Sequence, residues 1–326
     1  MSLRDKYKQL EPECRRQIKA LLKYFDKDPK ILASARSLKP RDEKERRYAL
    51  ALAIKNMPLL ALLENKHIYK SLYCYNTKEG SPHGKFHFID QITSGDHVCL
   101  ISGYIAYGDT KVPAVCKYYK GSKRTIDYEI NCYKRLAETG CEIPWMSSSY
   151  RLLGERVMIV ERLHTIDTTD KPAALGIDVL KQLQYLHTFG VHCDLKPGNI
   201  MVRRSGYECY VADPEKCLKY MIIDHGGTAI ERFGKGFKRF IWNPKFTSQL
   251  KGEKDQVTGP YYDFLELGYT MTWLDADRRK VNMKKFNHRT THRGKFKQYM
   301  NELDKYKDDP FTLPDDIYAR LINILS

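Results

Sequence analysis

His192-Cys193-Asp194-Leu195-Lys196-Pro197-Gly198-Asn199 is the stretch from which the rest of the chain is read. A carboxylate, an ammonium group and a carboxamide fall at 194, 196 and 199, around a Pro-Gly step. Pro-Gly alone marks no more than a turn. A second stretch gives it context: at Ile222-Ile223-Asp224-His225-Gly226 an apolar strand runs into Asp-aromatic-Gly. Each stretch supplies the setting the other needs.

Composition bounds what surrounds these stretches. The 326 residues exceed one typical domain and leave room for a two-lobed body with an extension. An apolar content of 42% suffices for a core. Nine scattered cysteines with no Cys-x-x-Cys favour neither zinc nor a disulfide framework. Met1 to Lys6 is charged where a signal peptide needs an apolar run. The greasiest stretch, Tyr48 to Leu63, is interrupted by Lys55 and Pro58 and is too short to span a bilayer. The expectation is a soluble, intracellular protein of a reducing compartment, cytoplasmic or nuclear, with no membrane partner. A net charge of +16 calls for anionic company.

Residues 1–84 read as a helical extension and linker. Leu10, Ile18, Leu21, Leu22 and Phe25 keep helical spacing until Asp28-Pro29 breaks it, and a second helix runs from about Pro40 to Met57. Eighteen Lys and Arg against nine acids in 1–75 suit a docking arm, but a buttress for the next segment is the simpler role. Asn76 to Gly84 reads as the linker. From Phe86 the texture turns to strands: Phe86 to Ile92, Cys99 to Tyr107, Val112 to Lys117, Trp145 to Leu153 and Arg156 to Leu163. Thr125 to Leu136 reads as a helix whose inward stripe of Ile126, Ile130 and Tyr133 includes Glu129. A carboxylate on an inward face needs a partner, and Lys117 at a strand end would supply one. Ala174 to Phe189 is a helix that delivers the chain to His192.

In this order the elements resemble a eukaryotic-type serine/threonine protein kinase from about Phe86 to Ser326. His192 to Asn199 matches H-R-D-L-x-x-x-N at His, Asp, Leu and Asn. By that resemblance Asp194 accepts the proton of the incoming hydroxyl, and Lys196 faces the charge on the transferred phosphoryl group. Asn199 and Asp224 hold Mg2+; Lys117, ending a strand like V-A-I-K, grips the ATP phosphates with Glu129 as its ion-pair partner. Glu161 stands where kinases place the adenine hinge. Of the three glycines in G-x-G-x-x-G only the middle one, Gly95, is kept, with Thr93 and Val98 at the others. Lys196-Pro197 resembles the serine/threonine rather than the tyrosine type. Tyr262 to Tyr269 is similar to the D-D-L-E-S-L-G-Y of the casein kinase I and vaccinia-related group, which makes Asp263 the buried brace of the catalytic loop. That group lacks A-P-E, as this chain does, with Phe246-Thr247-Ser248 in its place. The divergent glycine loop and short hinge region also resemble kinases of large DNA viruses, which act inside a host cell. The fold implied is α+β and two-lobed: a small antiparallel β-sheet N-lobe over about 85–160 and a mainly helical C-lobe over 161–326, making one kinase domain over 85–326 behind the helical N-terminal extension.

Some departures carry physical meaning. Cys193 replaces the arginine that pairs with a phosphorylated activation loop in many kinases, and Thr228 is the single hydroxyl between Asp224 and Phe246. Activation by phosphorylation is therefore not expected. His225 replaces phenylalanine with a polar aromatic ring. Residues 228–252 hold six Lys and Arg (232, 235, 238, 239, 245, 251) against Glu231 alone, which suits acidic or pre-phosphorylated protein substrates. Residues 278–297 hold nine cations, no acid, and Phe286 and Phe296 between them, a pattern that also suits nucleic acid or nucleoprotein. Two other classes stay open: a pseudokinase or scaffold, because two glycines are missing, and a small-molecule phosphotransferase of the aminoglycoside or choline type, which shares H-x-D-x-x-x-x-N.

Overall fold

A computed structural model of the chain describes residues 1–77, 84–94, 98–107, 109–119, 123–167, 169–203, 219–230, 237–238, 257–278, 293–307 and 313–326. These divide into two compact units, Met1–Ile126 with Trp145–Arg162, and Asp127–Pro144 with Leu163–Ser326.

The first unit opens with five helices: α1 (Leu3–Lys8), α2 (Pro12–Phe25), α3 (Pro29–Ser37), α4 (Glu43–Lys55) and α5 (Leu59–Leu63). Asp28-Pro29, which the spacing marks as a break, also starts a helix. The Asp28 carboxylate accepts from the backbone N–H of Lys30 and Ile31 at 2.9 and 3.0 Å, and Pro29 sits in the first turn, where no N–H is needed. At α4, Asp42 accepts from Glu45 N and Glu45 reaches back to Arg41 N, two orphan donors met by two acids.

Six strands follow: β1 (Tyr73–Asn76), β2 (Phe86–Ser94), β3 (Val98–Tyr107), β4 (Thr110–Tyr119), β5 (Met146–Leu152) and β6 (Glu155–Glu161). They close in the order β1-β2-β3-β4-β6-β5, and every pairing is antiparallel. Closure is made by β1, which pairs Cys74 with Phe86 on one side and Tyr75 with Arg151 on the other. This overturns the expected two-lobed protein-kinase-like fold. A closed six-stranded barrel is unlike the small open N-lobe sheet of that fold, because it leaves the sheet without edges. The cause is local: Tyr73 to Asn76 forms a strand, whereas 1–75 reads as helical and Asn76 as the start of a linker.

Helices and barrel share one core, with Ile18, Leu21, Ile54 and Leu63 in the same cluster as Phe86, Ile101, Tyr150 and Ile159. Gln17, fully buried on α2, pins the two together. Its amide nitrogen donates to Tyr73 O, and its oxygen accepts from Leu153 N at 3.0 Å. Leu153 and Gly154, at φ +50° and +83°, form the tight β5–β6 turn. Gln17→Leu strands a buried N–H and a part-buried carbonyl. It should lower unfolding stability by about 2–4 kcal/mol, read as a shifted urea midpoint. An unchanged midpoint would count against the pin.

The division falls within α6 (Lys123–Glu138), whose part in the second unit places Glu129, Ile130 and Tyr133 on its buried side. Next come β7 (His164–Thr165), α7 (Pro172–Leu186), β8 (Gly190–Val191), β9 (Ile200–Val202), β10 (Tyr220–Ile222), β11 (Ala229–Ile230) and α8 (Pro260–Arg278), then helices over Gly294–Asp304 and Ile317–Leu325. Leu175, Val179 and Leu183 of α7 pack with Phe264, Leu267 and Met271 of α8 and with Tyr299 and Leu321. At Gly268 a Cβ would meet Met300 Sδ at 2.4 Å and the Tyr299 ring at 3.1 Å, so a larger residue there would make the Met300 side chain shift. Among the described residues no helix is long and apolar enough to cross a membrane.

Candidate phosphoryl-transfer site

The loop 192–199 lies between β8 and β9 and is held by acids from α8. Asp263, fully buried, accepts His192 N at Oδ2 (2.7 Å) and Cys193 N at Oδ1 (2.9 Å). One turn along α8, Glu266 Oε2 accepts Leu195 N at 2.8 Å. Cys193 has φ +68°, a left-handed conformation that costs a β-carbon residue about 1 kcal/mol or more and persists because its surroundings fix it.

Above this brace, Asp194 is 6% exposed. Its Oδ2 accepts from Lys196 Nζ at 2.6 Å and from Asn199 Nδ2 at 3.0 Å, and the same Asn199 amide donates to Asp194 O at 2.9 Å. Three of the expected residues are therefore one hydrogen-bonded group. Asp224 joins them through the strand register. Ile200 of β9 faces Ile222 of β10, and Ile223 N donates to Asn199 O at 2.9 Å, so Asn199 and Asp224 leave the same end of the ladder. Asp224 is exposed and left-handed at φ +64°, ψ +55°. β10 is set in turn by α7. Asp178 Oδ2 accepts from Lys219 N and Tyr220 N, and Gln182 bonds both Tyr220 O and Ile222 N. Burial pushes the Asp178 carboxyl up, against these N–H bonds, which favour its charged form.

The turn after Asp224 is fixed by rings. His225 lies edge-on between Tyr133 (centroids 4.8 Å) and His192 (5.2 Å), and Tyr128 OH donates to Thr228 O. His192 Nε2 lies 3.0 Å from Ile223 O, a carbonyl, so this nitrogen carries the hydrogen and ties the loop to β10. Thr228, the one hydroxyl of its segment, is buried.

The remaining expected residues stand on other elements. Lys117 stands on β4 of the first unit, 8% exposed, with Nζ 5.1 Å from the Tyr119 ring. Glu129 is on α6 in the second unit, 1% exposed. Glu161 ends β6 of the first unit, where its N–H donates to Trp145 O and its carboxylate accepts from Trp145 N. Gly95, Phe246-Thr247-Ser248, Arg232, Lys235 and Arg239 lie outside the described residues, as does most of 278–297. Lys238 falls on a two-residue strand paired with Val257. Sequence reasoning missed Glu266, Asp178 and Gln182 as positioning groups. The signal for Glu266 was an acid three residues after Asp263, between apolar Phe264 and Leu267.

All seven described cysteines are buried and free, and burial pushes Cys132 and Cys141 up to about 12, so these two are inert thiols. No protein-family model matches the chain, and no curated protein matches it.

Proposed function

We propose that the chain is an ATP- and Mg2+-dependent phosphotransferase acting on serine or threonine hydroxyls of acidic proteins. One observation carries the reading: Asp194, Lys196 and Asn199 form a single hydrogen-bonded group, with Asp224 at the adjoining strand end. Asp194 takes the proton from the attacking hydroxyl. Lys196 and Asn199 fix the plane of its carboxylate by holding one oxygen, and Lys196, 35% exposed at its side chain, offers positive charge to the phosphoryl group. The barrel plays no part in this argument.

The donor set suits magnesium. Among the described residues no group of three or more His, Cys, Asp or Glu is placed to hold a metal. Mg2+ asks for less, one or two carboxylates with waters and substrate phosphates completing the shell. Asp224 provides the carboxylate. Asn199, its amide nitrogen committed to Asp194, has its amide oxygen left for a cation. When bound, the ion neutralises charge that develops on the phosphate oxygens. An acidic or pre-phosphorylated acceptor follows from the excess of Lys and Arg over 228–252.

The test is transfer from γ-labelled ATP to acidic and basic acceptor proteins, for wild type beside Asp224→Ala. Label should enter serine or threonine of the acidic acceptors, and the variant should lose about a thousandfold or more. ATP binding without transfer would instead mark a pseudokinase, and label confined to small hydroxyl compounds a small-molecule phosphotransferase.

A further inference from the structure

Asp263 accepts three hydrogen bonds, and the catalytic loop supplies two of them. The third donor is His187, the C-cap of α7, whose Nε2 lies 3.0 Å from Asp263 Oδ2. On the other side of the ring, His187 Nδ1 lies 2.6 Å from the hydroxyl of Tyr318, on the helix over Ile317–Leu325. The network assigns the hydrogens. Facing a carboxylate, Nε2 carries a hydrogen, and in that tautomer Nδ1 accepts from the Tyr318 O–H. Burial, reinforced by the nearby Asp263 carboxylate, holds the Tyr318 phenol well above its ordinary range, so it stays a donor.

We propose that Tyr318 and His187 are positioning residues, a relay by which the helix over Ile317–Leu325 sets the Asp263 carboxylate and, through it, the backbone at His192 and Cys193. Three observations support it. His187 and Asp263 side chains are 5% and 0% exposed, so water does not substitute for a lost partner. Phe264 meets the His187 ring (5.4 Å, 75°) and the Tyr318 ring (5.2 Å, 76°) edge-on, which fixes both rings independently of their hydrogen bonds. Cys193 holds a left-handed φ of +68° that its contact with Asp263 must sustain. A carboxylate with two partners in place of three is free to tilt, and the loop would relax with it.

The relay deepens the phosphotransferase reading, and its kinetic arm rests on that reading; its exchange arm does not. Tyr318→Phe removes one oxygen and leaves the ring packing. Hydrogen exchange of peptides covering 189–196 should become about fivefold faster, and kcat should fall about fivefold with KM for ATP unchanged, the effect of one lost hydrogen bond. His187→Ala should do the same, and adding Tyr318→Phe to it should change nothing further. His187→Gln, whose amide N–H can still reach Asp263, should restore the protection. Tyr306→Phe is the control, since that hydroxyl meets Glu302 and Arg320 and no loop residue. Unchanged exchange in Tyr318→Phe, or additive effects in the double variant, would overturn the relay even if His187→Ala fails to fold. If wild type transfers no phosphate, the functional reading fails while the exchange arm still decides the relay.

Discussion

Asp194→Asn is expected to slow phosphoryl transfer by about a hundred- to ten-thousandfold while leaving the fold in place. Asparagine has the shape of aspartate, so its side-chain oxygen can still accept from Lys196 Nζ and Asn199 Nδ2, now 2.6 and 3.0 Å from Oδ2. What disappears is the basicity. Stability should change little, because Lys196 is partly exposed and water can hydrate its ammonium group when the opposite charge goes. The pattern to look for is a collapsed kcat at saturating Mg·ATP, a KM for ATP near that of wild type, and a melting temperature within a few degrees. Lys196→Met separates the two roles on the loop. It leaves the base in place and removes the charge, so its loss should be smaller than that of Asp194→Asn. An Asp194→Asn enzyme that keeps more than a tenth of its activity would remove Asp194 as the base.

The grouping of the candidate residues was legible where it is local. Asp194, Lys196 and Asn199 sit within six residues, and a tight turn leaves such groups little choice but to meet. Asp263 was legible through the residues around it on one helix. The barrel was not, because its closing pair, Tyr75 with Arg151, joins positions far apart in the chain. A four-residue strand such as Tyr73 to Asn76 shows no period to read. Asp28-Pro29 misled for another reason: the dipeptide that stops one helix is also an N-cap followed by a first-turn proline. His187 and Tyr318 carry no local signal. Their partnership exists because the helix over Ile317–Leu325 packs on α7 and α8, a tertiary fact with no trace at either position.

Asp263→Ala is expected to be the most damaging single change in the second unit. Three donors lose their acceptor at once: His192 N, Cys193 N and His187 Nε2. The site is fully buried, so water does not replace the carboxylate, and each orphaned group carries its own desolvation cost. The sum should be about 3–5 kcal/mol, at about 1–3 kcal/mol for each orphaned donor less what relaxation recovers. The strain at Cys193 offsets part of this, since without Asp263 its φ of +68° can relax. Relaxation gives back stability but not geometry, so the loop should exchange faster even at temperatures where the protein stays folded. Asp263→Asn makes the argument sharper. Oδ1 and Oδ2 each accept a backbone N–H, so whichever way the amide is turned, its NH2 meets another donor. That variant conserves volume and should still lose stability and loop protection. Glu266→Gln should be milder, since one oxygen can keep the bond from Leu195 N. Urea unfolding and hydrogen exchange over 189–196 measure both effects. An Asp263→Asn protein with native exchange in that segment would show that the loop holds its own shape.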